Sequence, residues 1–130
     1  MANKYHNIPT KTADGIVHDS RKEARRWCEL KLLEKAGKIT DLQRQVPYCL
    51  IPSQYEEIDK GEVYQRGTLK GFPKTKKVCV EQSVYYIADF AYIDENGATV
   101  VEDTKGKKTK DYIIKRKLML YVHGIKINEI

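Results

Sequence analysis

Along the chain the apolar positions keep two different rhythms. From about Arg21 to Ala36, Ala24, Trp27, Cys28, Leu30 and Leu33 recur at three- and four-residue steps, which predicts a helix with one broad apolar face. Ser20-Arg21-Lys22-Glu23 has the form of a capping box, with Ser20 at the N-cap and Glu23 at N3, and Gly37 supplies the stop. Residues 45–51 read as a strand, and Pro47 within it argues for an edge or early position. From Val78 to Ile93 the chain is rich in β-branched and aromatic residues, which is strand composition. Glu95-Asn96-Gly97 is a tight-turn signal, and Ala98 to Thr104 returns as a second strand, so these two runs predict a β-hairpin. A second helix starts at Thr109 or Lys110 and runs to about Val122, with Gly124 as its stop, and residues 125–130 alternate as a last strand. The order helix, strand, hairpin, helix, strand predicts an α/β (α+β) fold, a small mixed sheet flanked by helices.

Two stretches fall outside this pattern. Residues 1–18 read as an irregular basic N-terminal arm. Residues 52–77 are rich in turn-prone and charged positions and read as a long basic loop or hairpin insertion. The 130 residues together are the size of one domain, 1–130, with 41% apolar and 32% charged residues, enough for a proper core. No apolar run approaches the ~18 residues of a membrane helix. The opening residues carry no apolar signal core, which points to the cytoplasm. Cys28, Cys49 and Cys79 are odd in number and far apart, so neither a disulfide framework nor a structural zinc site is expected, only reduced thiols. His6, His18 and His123 are equally scattered and read as surface or satisfied histidines.

The carboxylates of residues 85–110 change the picture. Ile87-Ala88-Asp89-Phe90 lies in one predicted strand and Glu102-Asp103-Thr104-Lys105-Gly106 closes the next. Side chains alternate along a strand, so Asp103 and Lys105 share one face and Glu102 and Thr104 the other. The turn decides where Asp89 goes. A two-residue Asn96-Gly97 turn sets Asp89 opposite Thr104, on the face of Glu102. A three-residue loop with a G1 bulge sets it opposite Asp103. In the second register two carboxylates and an ammonium converge. Close carboxylates repel, and a divalent cation relieves the conflict. Asp-x-Lys on a strand is common and by itself usually a solvated pair. Asp89, however, sits in the apolar run 85–92, where a carboxylate is costly unless paired or liganded.

Asp89, thirteen residues, then Asp103-Thr104-Lys105, after a helix with an early glutamate, resembles the PD-(D/E)xK nuclease superfamily. Ser20 to Arg25, Ala88-Asp89-Phe90, Glu102 to Gly106 and Tyr112 to Lys117 are more closely similar to a family of small phage-encoded proteins of formally unknown function placed in that superfamily. The resemblance covers most of the chain except residues 52–77. Ala88 stands where the superfamily pattern has proline. The resemblance implies a restriction-endonuclease-like αβββαβ core and metal-dependent DNA hydrolysis with Mg2+ or Mn2+. Asp89 and Asp103 would be metal ligands, Thr104 would offer its backbone carbonyl and Lys105 would be the catalytic lysine. Glu23 would reach in from the first helix as a further ligand or water-positioning acid, beside its capping role. Glu102 stays as a reserve ligand should the hairpin register differ.

The charge balance fits such a partner. The chain carries 24 Lys plus Arg against 18 Asp plus Glu, a net +6. Lys107, Lys108 and Lys110 lie at the strand-to-helix junction, Lys115 lies on the second helix, and Arg21, Lys22 and Arg26 flank Glu23. These form a candidate track for a DNA phosphate backbone, with no base-reading motif beside it. The expected function is a metal-dependent DNA endonuclease. Relatives in the superfamily add branched or junction DNA in phage recombination or replication, in the host cytoplasm if the chain is phage-encoded, and symmetric junction cleavage would call for a homodimer. The competing expectation is a non-catalytic nucleic-acid-binding module on the same fold, against which both acids and the lysine count.

Overall fold

A computed structural model describes residues 7–130. In chain order the elements are β1 (Thr10–Lys11), β2 (Val17–His18), α1 (Arg21–Lys35), β3 (Thr40–Ile51), β4 (Gln54–Val63), β5 (Pro73–Glu81), β6 (Val84–Ile93), β7 (Thr99–Asp103), α2 (Lys110–His123) and β8 (Asn128–Glu129). Strands β3, β6, β7 and β8 form one four-stranded sheet in that order. The β6–β7 pair is antiparallel and β7–β8 is parallel. The chain thus has the mixed α/β fold that its periodicities predict, with the order α-β-β-β-α-β once the two small sheets β1–β2 and β4–β5 are set aside.

The described chain divides into two compact units, one of residues 49–85 and the other of the remainder. In the larger unit, α1 starts where its capping chemistry says it should. The Ser20 side chain accepts a hydrogen bond from the Glu23 backbone N–H at 3.1 Å, and Gly37 follows the helix with φ 77°. Trp27 and Leu30 of α1 meet Ile39, Phe90 and Tyr92 in the core, and the Trp27 and Phe90 rings stack at 5.9 Å. Thr109 caps α2 by accepting from the Tyr112 N–H at 3.1 Å, and Gly124 ends it in the left-handed conformation. Pro47 lies in β3, an edge strand, which is where a sheet tolerates proline.

Three boundaries differ from the sequence pattern. The N-terminal stretch is not wholly irregular: Thr10–Lys11 pairs antiparallel with Val17–His18 across a turn at Gly15. His6 and the start of that arm lie outside the described residues. The apolar run from Val78 to Ile93 is two strands, because Gln82-Ser83 interrupts it and Val78–Glu81 belongs to β5 instead. Strand composition reads the same on both sides of that break, so the run alone cannot reveal it. The last strand shortens to Asn128–Glu129, which lies parallel to Glu102–Asp103.

The smaller unit is a long antiparallel hairpin. Strands β4 and β5 pair from Gln54↔Glu81 to Val63↔Pro73, with irregularities after Gln54 and Asp59. All ten residues of β4 are exposed. The segment 52–77, open between loop and hairpin in the sequence, is mostly strand.

Candidate active site

The β6–β7 turn settles the register. Phe90 pairs with Glu102, Ala91 with Val101, Tyr92 with Val100 and Ile93 with Thr99. The Asp94 N–H donates to the Ala98 carbonyl at 2.9 Å, the Gly97 N–H donates to the Asp94 carbonyl at 3.0 Å, and Gly97 takes φ 79°. This is the three-residue loop with a left-handed glycine, the bulged alternative. It continues Asp89 toward Asp103 rather than toward Glu102.

Asp89 and Asp103 meet. The Thr104 backbone N–H and hydroxyl both donate to Asp89 Oδ2, at 2.9 and 2.8 Å, fixing that carboxylate at the end of β7. Asp103 is only 2% exposed, and Tyr86 Oη donates to its Oδ2 at 2.5 Å. Lys105 Nζ lies 3.1 Å from the same oxygen and 4.4 Å from the centre of the Tyr112 ring. Burial, then a hydrogen bond with Asp89 and its negative charge, pushes the Asp103 carboxyl up to about 7; Tyr86 and Lys105 pull the other way and lose. The cost of ionising Asp103 beside the Asp89 charge is one that a divalent cation would relieve.

Glu23 lies beside this pair but is held by other groups. It is 3% exposed, accepts from Gln45 Nε2 at 3.3 Å, and has His18 Nδ1 3.6 Å from its Oε1. Its carboxylate also accepts a backbone hydrogen bond from Asp19. The capping position and the turn toward the sheet therefore coexist. Burial, followed by the charge of Asp89, raises its pKa to about 7. Glu23 is thus within electrostatic reach of Asp89. Among the described residues, however, no group of three His, Cys, Asp or Glu side chains stands ready to hold a metal ion. The donors that suit a hard cation are the Asp89 and Asp103 carboxylates, with the Thr104 carbonyl next in the chain.

Glu102 faces the other way and is fully buried. Arg26 grips it with Nε to Oε1 at 2.8 Å and Nη2 to Oε2 at 2.7 Å, and the Tyr92 hydroxyl donates to Oε2. Its role as reserve ligand falls on that geometry. So does the place of Arg26 in the phosphate track, since its remaining contact goes to Glu29 at 3.0 Å. Lys108 is drawn to Glu129 at 3.4 Å. Arg21 and Lys22 are exposed and line a cleft of about 240 Å3 together with Thr104 and Gly106, so the start of α1 opens beside the end of β7. Lys107 and Lys110 are exposed at the following junction, and Lys115 is half-buried on α2.

A profile of a protein family described as "Protein of unknown function (DUF1064)" matches residues 2–128. The chain belongs to that family. No curated protein and no solved structure matches it. The geometry of this DUF1064 chain therefore has to speak for itself, and it adds residues that the sequence did not single out. His18 is not on the surface and is only half satisfied: it is fully buried, its Nε2 lies 3.4 Å from Thr12 Oγ1, and its Nδ1 has no hydrogen-bond partner among the described residues. Gln45 reaches Glu23 from a left-handed backbone, φ 53°, which a non-glycine residue seldom adopts and which functional sites often carry. Tyr112 Oη donates to Glu129 Oε2 at 2.8 Å and places its ring under Lys105. A lone tyrosine or glutamine carries no sequence signal for such roles; only the positive φ and the burial expose them.

Proposed function

We propose that this chain is a divalent-metal-dependent endodeoxyribonuclease of the PD-(D/E)xK type that hydrolyses phosphodiester bonds in DNA. The observation that carries the reading is the meeting of Asp89, Asp103 and Lys105, with Asp103 so buried and so close to Asp89 that its proton is held up to about 7. A stable protein gains little by burying two carboxylates together. A site that has to attract a hard cation gains a great deal. Asp89 and Asp103, with the Thr104 carbonyl, would hold Mg2+ or Mn2+, and a bound ion of this kind lowers the pKa of water and offsets charge on a reacting phosphate. Thr104 keeps Asp89 in place through its two hydrogen bonds. Tyr86 orients Asp103, and the Tyr112 face steadies the Lys105 ammonium, which is placed to meet a scissile phosphate or the water that attacks it.

Glu23, clamped by Gln45, would act next to the ligands as a positioning acid rather than among them. Arg21, Lys22, Lys107 and Lys110 are exposed cations that would meet the phosphates of a bound backbone, with Lys115 further along α2. Branched or junction DNA as the preferred substrate, a homodimer that cuts it symmetrically, and a cytoplasmic place of action remain parts of the proposal. No helix among the described residues is long and apolar enough to cross a membrane. The test is a cleavage assay on single-stranded, duplex, flap and four-way DNA with Mg2+ or Mn2+. Cleavage by the parent and none by Asp89→Ala or Lys105→Ala supports the reading; variants that cut like the parent refute the site. A parent that binds DNA and never cuts it leaves the binding-module alternative.

A further inference from the structure

The β4–β5 hairpin takes no part in the proposed chemistry, yet its make-up is unusual. Two-stranded ribbons are marginal in water without a third strand or a packed face. Here β4 is exposed along all ten residues, and every residue of β5 except Lys74 is exposed too. The tip nevertheless closes on itself. Tyr64 N–H donates to the Phe72 carbonyl at 3.0 Å, Gly71 N–H to the Tyr64 carbonyl at 2.9 Å, and Phe72 N–H to the Leu69 carbonyl at 2.9 Å. Gly67 and Gly71 adopt φ 81° and 86°, which lets the loop turn twice without strain. This closed loop holds Leu69 at 50% and Phe72 at 59% exposure.

Charge divides the ribbon. Residues 54–63 carry Glu56, Glu57, Asp59 and Glu62 against Lys60 alone, whereas residues 64–77 carry Arg66, Lys70, Lys74, Lys76 and Lys77 and no acid. Lys74 is partly engaged, 3.9 Å from Glu62 and 5.5 Å from the centre of the Tyr64 ring. Lys76 and Lys77 stand farther down β5, across from Ile58 and Glu57, whereas Arg66 and Lys70 share the closing loop with the two exposed apolar side chains. A second copy docked tip to tip would set these cations against their own images, so self-association through this surface is disfavoured. A polyanion with an apolar interior suits it. Duplex DNA has phosphates along both walls of a minor groove and stacked bases that admit Phe or Leu wedges.

We infer that the closed tip of the β4–β5 ribbon is a DNA-binding element that inserts Leu69 and Phe72 into the minor groove of a duplex while Arg66 and Lys70 contact the flanking phosphates. The inference rests on the proposed nuclease reading for its choice of partner, and it assigns that enzyme a duplex-gripping element apart from the acids.

The experiment uses the full chain in EDTA, so that binding is read without cleavage. Anisotropy of a labelled duplex of about 25 base pairs is followed across salt, and a dye pair on the duplex ends reports bending. Arg66→Gln with Lys70→Gln is expected to flatten the slope of log K against log salt by about 1.8, at about 0.9 per lost phosphate contact. Phe72→Ser is expected to keep the slope and lose the bend. Lys31→Gln with Lys35→Gln, on α1, should change neither. Circular dichroism confirms that each variant is folded; these side chains are exposed, so it should be. An unchanged slope in the Arg66/Lys70 variant, no duplex binding by the parent, or tip changes that alter self-association or binding to anionic vesicles instead would each overturn the inference. Failure of the nuclease reading looks different: the parent grips duplex through the tip and never cuts it, and Asp89→Ala leaves the slope as it was.

Discussion

Replacing Asp103 with asparagine should make the protein more stable in the absence of metal while abolishing the proposed cleavage of DNA. Asp103 is 2% exposed, beside Asp89, and its folded carboxyl holds its proton up to about 7 against an ordinary 3.8. The folded state therefore binds the proton more tightly than the unfolded state. Stability from this group is complete below about pH 4 and is lost as pH rises through about 7. Above that, the ionised carboxylate costs the fold up to about 4 kcal/mol, at about 1.36 kcal/mol per unit. Asparagine is nearly the same size, can accept from Tyr86 and can donate to Asp89, and it has no charge to bury. Imperfect geometry and the lost Lys105 contact reduce the gain to about 1–3 kcal/mol. For a chain of this length that is a rise in melting temperature of about 4–10 °C. The assay is thermal melting of parent and Asp103→Asn in EDTA at several pH values. The gain should be largest near pH 8, shrink on acidification and vanish by about pH 4. Added Mg2+ should raise the melting temperature of the parent and not that of the variant. If Asp103→Asn melts at or below the parent at pH 8 without metal, the account of a strained acid pair is wrong.

Other consequences are equally open to measurement. Asp89→Ala and Lys105→Ala should each lower the cleavage rate by at least about 10^2-fold with far-ultraviolet circular dichroism unchanged, as measured on whichever DNA the parent cuts. Arg26→Ala strands the buried Glu102 charge and should cost about 3–5 kcal/mol in urea unfolding; adding Glu102→Gln should recover a large part of it, and no recovery would remove the ion pair as the cause. Leu30→Ala, at a fully buried core position against Trp27 and Phe90, should cost about 2–5 kcal/mol in the same assay. Lowering pH from about 8 to about 5 should weaken Mn2+ binding, followed by calorimetry, because the raised Asp103 and Glu23 carboxyls take up protons on the way.

Much of this was legible from the residues. Both helices announce themselves by capping chemistry, Ser20 with Glu23 and Thr109 with Gly124, since hydrogen bonds at helix ends are local. The hairpin was legible too, but its register was not: Asn96-Gly97 and Glu95-Asn96-Gly97 are both good turns, and the choice needs the Asp94–Ala98 hydrogen bonding of the folded hairpin. The break at Gln82-Ser83 was hidden because strands on either side of it share one composition. The sequence placed Asp89, Asp103 and Lys105 together under one register, which is the one the chain adopts. Arg26 was misjudged for a physical reason: a cation near a site in sequence looks like a phosphate contact until a buried Glu102 claims it. His18, Gln45 and Tyr112 gain their parts through burial and long-range approach, neither of which leaves a local mark.

The parallel pairing of Glu102–Asp103 with Asn128–Glu129 has a consequence for biosynthesis. The strand that bears the critical acid acquires its outer neighbour from residues made some twenty-five positions later, and the Ile130 N–H then fastens onto the Asp103 carbonyl at 2.9 Å. A ribosome that has translated both aspartates and the lysine still holds an unfinished wall. A chain stopped before residue 128 is therefore expected to lack the outer neighbour of the strand that bears Asp103, and the proposed cleavage of DNA would await it.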